Sequence, residues 1–429
     1  MEKTIYPLNG GFNKELNLPS SKSITNRVLL LAAISQGKSI IRNPLICDDS
    51  YWCMDSLQSL NINLVQSAGA VAIEGNEGLW DLAPGAKANV GSAGTTGRFL
   101  TSILACSISE SVTVTSSEQL ANRPMSALLD ALRHIGCQIS GDSFPLSIEP
   151  MQDDLLSNIT MSGGVSSQFV SGVMMAAPMM PDGVEIKMDG EIVQDGYVDI
   201  TIDVMKKFGV DVLKDTSNDD GNIIFRVPHA KYVSTNMEVE VDCSTASYFL
   251  ALAAANNSKV TINGFNCDSL QPDRLFVPIL ERMGCFIQQD KFKITLTGPE
   301  KLKGGFVVDM KSCSDTVLTL ACIAPFCDEP IEIRNVEHIR HHESDRISAI
   351  STLLQRVGIK VIEYNDGLKI FPGNPSFKEL QTYEDHRIAM ALTVLGASSS
   401  GLILTGAECV AKTCPDFFEI ISGLGVQVS

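Results

Sequence analysis

Lys22, Ser23 and Arg27 fall in one run, S-K-S-I-T-N-R, with Ser23 and Arg27 one helical turn apart. A cation at Lys22 in a first helical turn opposes the helix dipole, and a bound anion would account for it. No G-x-x-x-x-G-K precedes it, so this is not a P-loop. The glycines at 91, 94 and 97 allow a backbone to approach a ligand beside Thr95 and Arg98. Arg123 precedes Pro124, and a proline at the first helical position would make Arg123 a fixed presenter. Ser166, Ser167 and Gln168 offer hydroxyl and amide hydrogen bonds suited to a polyhydroxylated or phosphorylated ligand, whereas capping needs only one of them.

The second half of the chain places acids among cations. Asp315 sits at a helix start, and the run from His338 to Arg346 packs His338, His341 and His342 with Arg340, Arg346, Glu343 and Asp345. Asp385, His386 and Arg387 open a further helix, and Lys412 lies on the loop beyond. Several cations gathered among acids suit anionic ligands, while an acid at a helix start such as Asp315 is also electrostatically comfortable as structure. Taken singly, each motif also reads as an ordinary cap or a solvated ion-pair loop. His341 and His342 are adjacent, not three or four apart, so no metal site is expected.

The elements that must position these residues recur. Six segments, 20–34, 92–105, 166–177, 242–255, 314–324 and 384–397, share a small polar or acidic start followed by an apolar run of helical length. Five open on Ser or Asp and the sixth on Glu384-Asp385, as helix N-caps do. Each is followed by a β-rich stretch, at 39–44, 112–117, 184–189, 260–265, 331–336 and 402–407. A second, amphipathic helix comes next and stops at Asn61, Gly136, Gly209, Gly284, Gly358 or Gly425, residues that tolerate left-handed geometry. A further strand follows. The unit is helix, strand, helix, strand, and six of them predict an α/β protein, most simply two domains of three units. If the units are arranged alike, several helix N-termini face one shared anion site.

Composition narrows the class. A chain of 429 residues, 44% hydrophobic and 19% charged, is long enough for two cores and too apolar to be disordered. The run 248–255 is far too short to span a bilayer, and 1–17 shows no basic segment followed by an apolar one. The net charge of −17 argues against nucleic acid and anionic membranes as partners. Basic residues for an anion must therefore be concentrated locally. Twelve scattered cysteines without C-x-x-C pairs read as reduced thiols of a cytoplasmic protein.

The motifs S-K-S-I-T-N-R, S-A-G-T-T-G-R, A-N-R-P-M, S-S-Q-F, D-G-Y-V-D-I-T, H-E-S-D-R, E-D-H-R-I-A-M-A and A-K-T-C-P-D-F occur in this order. Together they resemble the EPSP synthase family from about residue 10 to the C-terminus. The resemblance implies two inside-out α/β domains of three repeated units each, residues 20–239 forming the shikimate 3-phosphate-binding domain. Residues 1–19 and 240–429 would form the second domain, with the active site in the interdomain cleft, closing on substrate. Its implied activity is transfer of the enolpyruvyl group of phosphoenolpyruvate to the 5-hydroxyl of shikimate 3-phosphate, in chorismate and aromatic amino acid biosynthesis. Lys22, Ser23, Arg27, Ser166, Ser167, Gln168, Tyr197, Asp315, His338 and His342 would bind shikimate 3-phosphate. Lys22, Gly94, Arg123, Gln168, Glu343, Arg346, His386, Arg387 and Lys412 would hold phosphoenolpyruvate, with Asp315, Glu343 and Lys22 catalytic. No cofactor or metal is implied, and a monomer is expected.

Three positions depart from the family pattern. Ser92 replaces a usual Asn, His342 a frequent Lys and His338 a common Asn. Histidine at 342 predicts weaker shikimate 3-phosphate binding above neutral pH. The related UDP-N-acetylglucosamine enolpyruvyl transferases carry a reactive Cys on the loop holding Arg123, and residues 118–127 contain none. A non-catalytic phosphometabolite-binding protein would not require both Asp315 and Glu343.

Overall fold

The structure, a computed structural model, describes residues 1–151, 155–164, 166–217 and 222–429. Each predicted repeat begins with a helix: Lys22–Ile34, Gly94–Ala105, Ser167–Ala176, Cys243–Ala255, Val317–Ile323 and His386–Ala397. These helices are apolar on nearly all sides and are buried accordingly, Gly94–Ala105 and His386–Ala397 along their whole length. Each buried leucine or valine stabilises by about 1.5–3 kcal/mol relative to exposure.

Four of these six helices are capped by the side chain at the expected polar start: Ser21, Ser166, Asp242 and Asp385. The other two depart from the expectation. Ala93, not Ser92, is the N-cap of Gly94–Ala105, so no side chain caps it. Ser314 instead opens a 3-10 turn, Ser314–Thr316, and its hydroxyl meets His338 Nε2 at 2.8 Å.

The outer helices Asp48–Ser59, Ser126–His134, Gly196–Lys207, Phe276–Arg282, Arg346–Arg356 and Phe417–Gly423 are amphipathic or short. The residues predicted to stop them, Asn61, Gly136, Gly209, Gly284, Gly358 and Gly425, all have φ between 65° and 106°. Between inner and outer helices run the predicted strands, Gln36–Arg42, Val112–Thr115, Val184–Asp189, Lys259–Asn263, Ile331–Arg334 and Leu402–Thr405.

Each of these strands is an inner member of its own small sheet, pairing parallel on one side and antiparallel on the other. Val112 and Val114 pair with Ile148 and Leu146, and all four are buried on the face toward the helices. In the last sheet Glu2–Ile5 supplies the antiparallel neighbour of Leu402–Thr405, and Ile5 bridges Val428.

The chain divides into two compact units, Met1–Pro19 with Glu240–Ser429, and Ser20–Val239. Among the described residues each has one continuous hydrophobic core and three sheets. In Ser20–Val239, helix Gly94–Ala105 packs against both Lys22–Ile34 and Ser167–Ala176. In the other unit Cys243–Ala255, Val317–Ile323 and His386–Ala397 all pack on one another. Helices are central and sheets peripheral, the inside-out α/β arrangement. Among the described residues no helix is long and apolar enough to cross a membrane.

Candidate active site

In the unit Ser20–Val239 the opening turns of the inner helices gather cations. Lys22 Nζ lies 3.3 Å from Asp49 Oδ2, a buried carboxylate on the neighbouring outer helix. Arg27 is buried and donates to Thr201 Oγ1 at 2.7 Å, to the Ser23 carbonyl at 3.0 Å and to the Tyr197 carbonyl at 3.0 Å. Its guanidinium also lies 4.9 Å from the Phe99 ring centroid, and burial pulls its pKa down to about 10. Arg27 thus ties Lys22–Ile34 to Gly196–Lys207, setting where Ser23 and Tyr197 stand.

The second cluster is built on Gly94. A Cβ placed there would meet Arg123 Nη1 at 3.0 Å and Arg98 Nη1 at 3.4 Å, so the missing side chain is what admits both guanidinium groups. Arg98 donates to Gln168 Oε1 at 2.6 Å and to the Pro124 carbonyl at 3.3 Å. This orients the Gln168 amide, while the Ser166 hydroxyl accepts from Gln168 N at 3.2 Å and Ser167 is buried beside it. The expected reason for the fixed position of Arg123 needs correction. Helix Ser126–His134 has Met125 as its N-cap, so Pro124 lies outside it. Arg123 is held instead by the end of a short helix, Glu118–Ala121, its N–H donating to the Leu120 carbonyl at 3.0 Å.

In the other unit the acids and cations interlock around Arg346. Its Nε donates to Asp385 Oδ2 at 2.8 Å, and its Nη2 to Glu343 Oε2 at 2.9 Å and Asp385 Oδ1 at 3.3 Å. Nη1 donates to Asp315 Oδ1 at 3.1 Å and to His342 Nδ1 at 2.9 Å. A guanidinium has five N–H groups, and in this arrangement all five are engaged by protein. Burial works against the charge, but Asp385, Glu343 and Asp315 outweigh it and raise the pKa of Arg346 further. Arg346, which the resemblance implies at phosphoenolpyruvate, is hydrogen-bonded to both candidate acids, Asp315 and Glu343.

Asp315 also accepts from Arg387 Nη2 at 2.7 Å, and Glu343 Oε1 lies 3.4 Å from Lys412 Nζ. Each candidate proton-transfer acid is therefore braced between two cations. Burial pushes the Asp315 carboxyl up, yet Arg387, Arg346 and His342 together hold it well below the usual carboxylate range. Arg387 reaches the opening turns of the other two inner helices at once, through Asp315 and, at 3.5 Å, through Ser244 Oγ.

His338 is buried against Ser314, and burial brings its pKa down to about 4, so it offers a neutral hydrogen-bonding ring. His342 accepts from Arg346 through Nδ1, so its neutral ring carries the N–H on Nε2 and can donate from there. Its ring stands edge-on to His338, centroids 5.8 Å apart. His386 is buried at the start of its helix, its Nδ1 4.0 Å from Asp385.

Four residues that sequence reasoning left unassigned shape these clusters: Asp49, Arg98, Thr201 and Asp385. Arg98 and Asp385 stand inside the family motifs, and their buried charge could have marked them. Thr201 closes the motif D-G-Y-V-D-I-T but reads by type as any polar helix residue, and Asp49 reads as an ordinary acid at a helix start.

Comparison with known proteins agrees with this architecture. The model of the family EPSP synthase (3-phosphoshikimate 1-carboxyvinyltransferase) matches residues 9–421. A 3-phosphoshikimate 1-carboxyvinyltransferase 2 of Halalkalibacterium halodurans is 39% identical over 431 residues, covering 99% of this chain and 94% of that protein. A 3-phosphoshikimate 1-carboxyvinyltransferase of Methanosphaerula palustris is 35% identical, covering 99% and 100%. The EPSP synthase structure of Acinetobacter baumannii superposes with a TM-score of 0.81 at 24% identity, over 100% of this chain and 99% of that one, a likeness of fold. A match this long, with relatives above 30% identity along nearly the whole sequence, establishes that the chain belongs to the EPSP synthase family.

Proposed function

We propose that this protein transfers the enolpyruvyl group of phosphoenolpyruvate to the 5-hydroxyl of shikimate 3-phosphate, releasing phosphate, in chorismate and aromatic amino acid biosynthesis. The observation that carries the chemistry is the bracing of Asp315 between Arg346 and Arg387, and of Glu343 between Arg346 and Lys412. The protein's own acids pair with these cations. An incoming phosphate or carboxylate competes for the same N–H groups, and as it does so the proton affinity of Asp315 and Glu343 rises toward a useful range.

The reaction then runs as addition and elimination. The 5-hydroxyl oxygen bonds to C2 of phosphoenolpyruvate, losing its proton toward Asp315, while C3 gains a proton from the side of Glu343. The resulting tetrahedral intermediate loses a proton from C3, the C2–O bond to phosphate breaks and phosphate leaves. Lys22, Arg123, Arg387 and Lys412 neutralise the phosphate and carboxylate of phosphoenolpyruvate, with Gly94 making room and Gln168 beside it. Ser23, Ser166, Ser167, Tyr197 and His342 hold shikimate 3-phosphate, with Arg27 and His338 positioning that set and Arg346 and His386 positioning the acids.

Residues 20–239 act in this reading as the shikimate 3-phosphate-binding domain, and 1–19 with 240–429 supply the proton-transfer groups. A monomer in the cytoplasm is the proposed state and location. Phosphate release, measured with both substrates and with each omitted in turn, tests the assignment. Release requires both; release from phosphoenolpyruvate alone, or none with the pair, overturns it.

A further inference from the structure

Asp273 is a buried carboxylate that the reaction above does not use, 2% exposed, in the 3-10 helix Pro272–Leu275. It accepts a hydrogen bond from the Ser244 hydroxyl, and Ser244 Oγ in turn faces Arg387 Nη2 at 3.5 Å. The same Nη2 reaches Asp315 Oδ2 at 2.7 Å. Asp273, Ser244, Arg387 and Asp315 thus form one chain of polar contacts from a buried acid to a candidate catalytic acid. The segment carrying Asp273 is pinned: Cys243 N donates to Gln271 Oε1 at 3.0 Å, and Gln271 Nε2 donates to the Val241 carbonyl at 2.8 Å and to Glu240 Oε1 at 2.9 Å.

We propose that Asp273, acting through the Ser244 hydroxyl, orients the Arg387 guanidinium and so sets how firmly the protein holds the phosphoenolpyruvate anion. This rests on the reading of Arg387 given above. The logic lies in the single proton of Ser244. An ionised Asp273 can only accept, so Ser244 must donate to it and turn a lone pair toward Arg387. A protonated Asp273 can donate to Ser244, which frees the hydroxyl proton to rotate and loosens the acceptor that Arg387 meets. Asp273 is therefore a positioning residue whose protonation state is transmitted to the site.

Its surroundings put that switch in an accessible range. Burial raises Asp273 first, the negative charges of Asp315 and Asp242 add to this, and Arg387 and the Ser244 hydrogen bond oppose it, leaving a pKa of about 7. The other ionisable neighbours, the thiols of Cys243 and Cys313, are both raised by burial and stay neutral.

Phosphate-release kinetics between pH 5.5 and 8.5 test the proposal, comparing the KM for phosphoenolpyruvate of the wild type with that of D273N and S244A. At pH 8.5 each variant has a KM roughly fivefold higher, the scale of one hydrogen bond. At pH 5.5 each ratio to wild type falls to about one, because protonated Asp273 no longer fixes Ser244. Titration of the substrate itself cancels in the ratio. The double variant is no worse than S244A alone, since both act through one hydroxyl. Ratios that stay constant with pH, or additive losses in the double variant, overturn it. If D273N does not fold, the pH dependence of the S244A ratio alone decides between the two outcomes. A wild type that releases no phosphate from the substrate pair refutes the functional reading instead.

Discussion

Arg346 and Asp385 meet in a two-pronged ion pair, Nε to Oδ2 at 2.8 Å and Nη2 to Oδ1 at 3.3 Å, and neither side chain is more than 2% exposed. Asp385 simultaneously caps helix His386–Ala397 by accepting from Arg387 N at 2.9 Å, and it accepts from Ser344 Oγ at 3.0 Å. One carboxylate therefore sets the guanidinium that holds both candidate proton-transfer acids.

Removing that carboxylate leaves a buried cation short of its partner. D385A is expected to lower unfolding stability by about 3–5 kcal/mol, since breaking one side of a buried pair costs far more than a surface pair is worth. Denaturant unfolding followed by circular dichroism measures this. A loss below about 1 kcal/mol would show that Arg346 relaxes onto Asp315 and Glu343 without it.

Asp315 and Glu343 are each within reach of two cations, so neutral isosteres should preserve the fold better than truncation. D315N and E343Q are each expected to reduce turnover by about 10²–10⁴, the usual range for a general acid or base. Calorimetric titration should still detect shikimate 3-phosphate binding to both. Full turnover in either variant removes that residue from the proton chemistry.

Gly94 faces two guanidinium groups, and a methyl group there would stand 3.0 Å from Arg123 Nη1 and 3.4 Å from Arg98 Nη1. G94A is expected to raise the KM for phosphoenolpyruvate by about tenfold, equivalent to about 1.4 kcal/mol, with a smaller effect on that for shikimate 3-phosphate. Steady-state kinetics with each substrate varied separately distinguishes the two. An equal effect on both would mean the methyl group disturbs the unit as a whole.

His338 links pH to stability. Burial lowers its pKa from 6.5 to about 4, so the fold favours the neutral ring. As pH falls below about 6.5 the unfolded chain takes up the proton first, and stability is lost until about pH 4, where the folded form is also protonated. The contribution lost is about 3 kcal/mol. H338N should show less destabilisation than wild type between pH 7 and 4.5 in matched denaturant titrations. Parallel curves would contradict the linkage.

The sixfold helix and strand pattern was readable because burial imposes composition. Helices packed among other helices are apolar on nearly all sides, and the turn that ends each outer helix has Gly or Asn at positive φ. Motif order was enough to point to the EPSP synthase family; residue type and position marked Lys22 and Arg123 as candidates, and the resemblance gave Asp315 and Glu343 their expected roles. Partner choice was not readable. Whether Arg346 meets a ligand or Asp385, whether Ser314 caps a helix or bonds His338, and whether Pro124 begins a helix depend on atoms brought together from distant parts of the chain. A side chain's donors go to whatever acceptors the packed core leaves within about 3 Å, and that distance is decided by tertiary structure.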